Sequence, residues 1–162
     1  MTDAEFMDAA LELARQAAAD GEVPVGCVIV RDGAIVGRGR NRREKAQNAL
    51  SHAEIEAIND ACTHLGGWRL WDCTLYVTLE PCPMCAGAIL SARIPRVVFG
   101  ASDAKCGACG SVCDLTAMEF NHHPVVVESG VGQEEAAALL QSFFENLRVE
   151  LRTRPKWKPR SK

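Results

Sequence analysis

The sequence predicts an α/β fold, a three-layer α/β/α sandwich with a mixed five-stranded sheet. Three features point there. Five short apolar strand segments alternate with helical ones, an Asp-Gly turn joins the first two strands, and helix-length segments separate later strands that then run parallel. At 162 residues the chain fits one domain with a sizeable core. The fold domain is expected over residues 1–152, with a basic tail over 153–162.

The elements follow in order. Thr2-Asp3-Ala4-Glu5 is a capping-box pattern, and Phe6, Ala10, Leu13 and Ala17 recur at helical spacing, so a first helix runs to about Gly21. Val25–Val30 and Ala34–Val36 flank Arg31-Asp32-Gly33 and predict a hairpin. A polar loop follows, then a helix over 52–65 that stops at Gly66-Gly67. Leu75–Leu79 reads as a strand, 82–92 as a helix introduced by Pro81 and Pro83, and Arg96–Gly100 as a strand. Val125–Glu128 supplies the fifth strand and 133–152 a long final helix. The Gly- and Cys-rich stretch from Ala101 to His123 carries no periodicity that assigns it.

Composition excludes several classes. Apolar residues make up 48% and charged residues 24%, which rules out disorder, collagen-like repeats and a coiled coil. The longest apolar run, Val25–Val30, falls far short of the ~20 residues of a membrane span. Met1–Ala10 is acidic and shows no secretory pattern, and eight cysteines then point to a reducing, cytoplasmic setting where clustered thiols suit metal better than disulfides. The net charge of −3 conceals an asymmetry: residues 148–162 hold seven Lys and Arg against one Glu. A second basic cluster, Arg38, Arg40, Arg42, Arg43 and Lys45, surrounds Asn41. Basic patches on an acidic body suit a polyanion docking at set places, although terminal charge runs are also commonly solvated tails.

Two segments carry chemistry. Ser51-His52-Ala53-Glu54 and Glu80-Pro81-Cys82-Pro83-Met84-Cys85 together offer two sulfurs and one imidazole nitrogen. Cys82 and Cys85 share a helix face at i, i+3, and a helix starting there favours thiolates through its free N–H groups and dipole. Such a set suits tetrahedral zinc with a fourth position left for water, the arrangement of a catalytic site. Glu54, two residues past His52, is free to take a proton from that water and hand it to a leaving group. Ammonia leaves only when protonated, so the pattern asks for hydrolytic deamination. Two other readings use the same residues. Ser51 and Glu54 also match a capping box. Cys82, Cys85, Cys106 and Cys109, with 20 residues between the pairs, also match a closed four-cysteine zinc module with no catalytic role. Cys106, Cys109 and Cys113 could join His122 or His123 in a second metal site, or stand as separate thiols.

The combined motif resembles the signature of the zinc-dependent cytidine deaminase superfamily. Val23-Pro24-Val25-Gly26, Leu75 to Pro81, Cys85 to Ile89, Ser91 to Gly100, Asp103-Ala104-Lys105 and Leu139 to Phe144 extend the likeness to the bacterial tRNA adenosine deaminase family. It covers roughly residues 4–152. The resemblance implies the cytidine deaminase-like fold, one Zn²⁺ per subunit on His52, Cys82 and Cys85, and Glu54 as proton shuttle. It implies that Asn41 touches the target nucleoside, that Phe144 helps hold the anticodon loop, and that Asp103 and Lys105 lie on a loop beside the substrate. The implied reaction turns adenosine into inosine at the wobble position of a tRNA, an arginine tRNA with an ACG anticodon, in a cytoplasmic homodimer with no membrane partner. A free nucleobase or nucleoside deaminase of guanine or cytosine type would share the metal set. The chain departs from the family at Asn48-Ala49-Leu50-Ser51 before His52, at the less basic Glu145-Asn146-Leu147-Arg148, and at the three cysteines of 106–113.

Overall fold

The computed structural model describes residues 1–156, so the last six residues of the expected basic tail lie outside the described residues. Helix α1 (Asp3–Ala19) starts at Thr2, whose side chain accepts from the Glu5 N–H while the Glu5 carboxylate accepts from the Thr2 N–H, both halves of the capping box. Strands β1 (Gly26–Arg31) and β2 (Ala34–Arg40) pair antiparallel around Asp32-Gly33, which both take positive φ, 51° and 74°. That turn matches the right-handed twist of the two strands.

The polar loop hides a short helix, α2 (Arg43–Ala46), too brief to show a period. Helix α3 (Ala53–Leu65) ends on Gly66 in the left-handed region at φ 69°. Strand β3 (Cys73–Leu79), helix α4 (Pro83–Ser91), strand β4 (Arg96–Ala101), strand β5 (Val126–Ser129) and helix α5 (Gln133–Thr153) complete the chain. The unassigned stretch holds one 3-10 turn, Leu115–Ala117, and an isolated bridge between Cys109 and Asp114.

The sheet order is β2-β1-β3-β4-β5, antiparallel among the first three strands and parallel among the last three. Period-2 alternation sends β1 side chains into two cores. Cys27 and Ile29 join Ala53, Ala57, Ala61, Ile89 and Phe99 on the α3–α4 face. Val28 and Val30 join Phe6, Met7, Leu11, Tyr76 and Ala136 on the α1–α5 face. Three layers result, as the alternation of elements predicts. At the rims, β2 carries Arg38 and Arg40, and the Arg38 N–H donates to the Asp60 carboxylate at 2.8 Å. At the other rim β5 is four residues long and includes Glu128.

Gly39 sets the position of α3. A Cβ there would drive into the Ala53 carbonyl and the Ala57 N–H, so β2 and the first turn of α3 meet backbone to backbone. Gly39→Ala is expected to cost about 1–3 kcal/mol by overpacking, read from the urea midpoint. Metal affinity should fall with it, because the turn displaced is the one that follows His52. Unchanged stability and metal content would contradict this. Among the described residues no helix is long and apolar enough to cross a membrane.

Candidate active site

The two chemical segments meet at two helix starts. His52 is the N-cap residue of α3 and Cys82 that of α4, with Pro83 at the first helical position and Cys85 one turn in. His52 Nδ1 lies 3.7 Å from Cys82 Sγ and 3.6 Å from Cys85 Sγ, and all three atoms fall within 4.8 Å of one another. Tetrahedral zinc with Zn–S near 2.3 Å and Zn–N near 2.0–2.1 Å separates sulfur and nitrogen by about 3.6 Å, so the spacing fits that ion. Both helix N-termini point positive dipole ends at the sulfurs.

The electrostatics agree. Cys82, accepting the thiol hydrogen bond of Cys85 and one from His52, is drawn down to about 4 and held as a thiolate. Cys85 moves the other way, because it gives its proton to Cys82 and is buried. His52 is raised chiefly by its hydrogen bond to Cys82. Thiolate sulfurs and an imidazole nitrogen are the donors that would hold a zinc ion here.

Glu54 is 4% exposed, the second residue of α3, and its carboxyl is pushed above the ordinary carboxylate range by burial. The capping-box alternative is overturned: α3 begins after His52, not Ser51, and no side chain caps it. Glu54 is therefore left free beside Cys85. Among the described residues His52, Cys82 and Cys85 form the group that gathers metal-binding atoms, so the four-cysteine module is not assembled. Cys106, Cys109 and Cys113 stand as separate thiols, Cys109 buried and the other two exposed.

The remaining expected residues spread around this centre. Asn41, at the end of β2, is 8% exposed, and the Arg42 N–H beside it donates to the Ser51 carbonyl at 3.0 Å, one residue before His52. Asp103 accepts from the Lys105 and Cys106 N–H groups at 2.9 and 3.1 Å, while the Lys105 side chain is exposed. Phe144 is 44% exposed and meets Phe143 edge-on at 5.4 Å; it is Phe143 that lines the cavity beside Asn41. Within the basic cluster, Arg40 and Lys45 are paired with Asp20 at 3.3 and 3.2 Å. Among the described residues Arg38, Arg42 and Arg43 form no ion pair.

Glu80 opens the cysteine segment, yet sequence reasoning gives it no role of its own. Glu80 is 2% exposed and its carboxylate accepts from the N–H groups of Asp103, Cys109 and Ser111 at 3.2, 3.1 and 3.2 Å, and from the Ser111 hydroxyl. It pins the whole 103–111 loop beside Cys82. Its signal was present: a lone acid closing the apolar strand Leu75–Leu79, two residues before the first cysteine.

With this geometry in place, comparison with known proteins is informative. The chain matches the MafB19-like deaminase family over residues 1–148. A tRNA-specific adenosine deaminase of Streptococcus pyogenes is 49% identical over 139 residues, 86% of this chain and 87% of that protein. A solved structure from work on A-to-I editing by tRNA:A34 deaminases aligns with a TM-score of 0.81 at 45% identity, covering 84% of this chain and 99% of the other. The guanine deaminase of Bacillus subtilis shares the fold at 30% identity with a TM-score of 0.63, over 98% and 99% of the two chains.

Proposed function

The chain belongs to the MafB19-like deaminase family, and we propose that it is an enzyme hydrolysing adenosine to inosine at the wobble position of a tRNA, an arginine tRNA with an ACG anticodon. The observation that carries the chemistry is a buried, non-ligating Glu54 beside the His52–Cys82–Cys85 group. The substrate class rests on the 49% identical tRNA-specific relative.

His52 Nδ1, Cys82 Sγ and Cys85 Sγ would hold one zinc per subunit. Bound there, zinc supplies Lewis acidity that lowers the pKa of water and brings a nucleophile within reach at neutral pH. Glu54 takes the first proton of the attacking water and delivers it to adenine N1, then takes the proton of the hydroxyl now on C6 and delivers it to the departing amino nitrogen. Its raised affinity for protons suits a group that must both accept and donate. Water adds at C6, the C6–N bond breaks, and ammonia leaves.

Asn41, whose neighbour Arg42 is bonded to the Ser51 carbonyl before His52, would meet the target nucleoside, and the bases of an anticodon loop are cheaper to extrude than those of a duplex. Arg38, Arg42 and Arg43, free of ion pairs among the described residues, would meet phosphates, with Asp103, Lys105 and Phe144 around the loop. Binding should then weaken steeply with salt. A second copy would cover the α3–α4 face, where Ile55, Ile58, Cys62 and Trp68 line an apolar groove of about 290 Å³. Eight unpaired thiols suit a reducing cytoplasm.

The deciding assay offers the zinc-loaded protein an arginine tRNA with an ACG anticodon, free adenosine, guanine and cytidine. Inosine confined to the wobble base is the expected result. Turnover of a free base or nucleoside with the tRNA untouched would overturn the substrate and keep the chemistry. Zinc analysis tests the ligand set separately: His52→Ala should lose the metal, whereas Cys106→Ser should retain both metal and activity. Metal loss in Cys106→Ser would revive the four-cysteine module.

A further inference from the structure

The cavity beside Asn41, about 590 Å³, is walled in part by Glu22, Asn41, Arg43, Glu44, Phe143 and Arg154. Glu22 is 2% exposed. One of its oxygens accepts from the Glu44 N–H at 2.8 Å, which ties Glu22 to the α2 turn. The other oxygen, also buried, has no partner. The Asn41 Oδ1 atom, on the same cavity wall, is likewise buried and unpartnered. Buried acceptors left unmade are costly, and a native fold that keeps two of them in one cavity is prepared for a donor.

Chemistry narrows that donor. A carboxylate only accepts, whereas an amide turned about its last bond can accept or donate. A hydroxyl matches the pair, giving its proton to Glu22 and receiving an N–H from Asn41. Inside an RNA strand the 3′ and 5′ oxygens are esterified, so the sugar hydroxyl available is the 2′-OH. Arg43 on the wall, without an ion pair among the described residues, suits a phosphate that flanks a ribose better than a base edge, while Arg154 is paired with Glu150 at 3.8 Å. The cavity is also close to the chemistry, since the residue after Asn41 is bonded to the carbonyl of Ser51, which precedes His52.

We propose that Glu22 is a positioning residue that, with Asn41, receives a ribose 2′-hydroxyl at or next to the target nucleotide and so makes the enzyme favour RNA. The inference rests on the tRNA reading above and adds a residue and a contact to it.

The test couples a variant to a change of one atom. Anticodon stem-loops carrying a single 2′-deoxy sugar at the target or at either neighbour are deaminated by wild type and by Glu22→Gln, with kcat and KM measured separately. Wild type should lose about tenfold in kcat/KM at one of the three positions. Glu22→Gln should lose about tenfold on the all-ribose substrate yet less than about twofold further on the deoxy one. Glu22→Asp, which keeps the charge but withdraws it, should lose the same activity as Glu22→Gln with zinc content unchanged in both, the melting temperature holding in Glu22→Gln and falling in Glu22→Asp as the bond to the Glu44 N–H is lost. A full deoxy penalty that persists in both variants would overturn the contact and leave Glu22 as a support for α2. Wild-type rates in the variants, or a loss that follows a deleted base amino group instead of the sugar, would overturn it equally. If wild type converts no all-ribose stem-loop and no intact tRNA, the substrate reading falls and this one with it. Intact activity without coupling removes only the Glu22 contact.

Discussion

Replacing Glu54 with Gln should cut deamination by about 10²–10⁴-fold while the zinc content stays at the wild-type level. Gln fills the same space and keeps the hydrogen-bonding reach, so what it removes is the ability to carry a proton between water, N1 and the leaving nitrogen. Two structural facts keep the result interpretable. Glu54 lies outside the trio of gathered ligand atoms, so zinc should not leave with it. It also plays no part in capping α3, whose N-cap is His52. Thermal stability should therefore hold or rise, since Gln needs no ionised group in a fully buried position. The measurements are inosine yield under single turnover, zinc per chain and melting temperature. Activity within tenfold of wild type would remove Glu54 from the chemistry, and zinc loss as large as that of His52→Ala would recast it as a ligand.

Glu80→Ala should be the most damaging change away from the metal group, lowering unfolding stability by about 3–5 kcal/mol. Three backbone N–H groups and one hydroxyl converge on this carboxylate, and each buried donor left unpaired costs about 1–3 kcal/mol. Ser111 is exposed enough to recover part of its loss from water, which holds the total below the simple sum. The same change frees the segment that carries Asp103 and Lys105, so kcat/KM should drop even where the protein remains folded. Urea unfolding reads the first effect, and limited proteolysis between Asp103 and Ser111 reads the second. A variant as stable as wild type with an uncleaved loop would show that the loop is held by other means, such as the Ala108 N–H donating to Pro81 and the Leu115 N–H to Ala108.

What was legible in the sequence follows from how local each cause is. Thr2 and Glu5 act within one turn, and Asp32-Gly33 fixes a hairpin by its own backbone preferences, so both could be read directly. The gathering of His52, Cys82 and Cys85 was legible for another reason: metal chemistry restricts residue type and spacing so tightly that few other patterns imitate it. The Ser51–Glu54 capping pattern was one imitation, and only the observed start of α3 after His52 separates the two. Strand ends shifted by a residue or two at Cys73 and Val126, and by four where β2 runs past Val36 to Arg40, because partner strands and not propensity terminate pairing. The stretch from Ala101 to His123 was opaque because its order comes from Glu80, more than twenty residues upstream, and from Asp103 and Asp114 accepting from the N–H groups of Cys106 and Thr116 just downstream. Glu22 was opaque for the same reason, since its surroundings are a cavity formed by three separate parts of the chain.

The rims of the sheet have a consequence for how copies of this protein behave at high concentration. Unpaired strand edges are templates on which further strands stack, the usual route to fibrils and exchanged dimers. Here one edge carries Arg38 and Arg40 and has an N–H already occupied by Asp60, and the other is four residues long with Glu128 in it. Neither edge offers a long, flat, uncharged ladder. Growth by strand addition is therefore disfavoured at both ends, which leaves the helix-covered faces as the surfaces on which a second copy would close an assembly instead of propagating it.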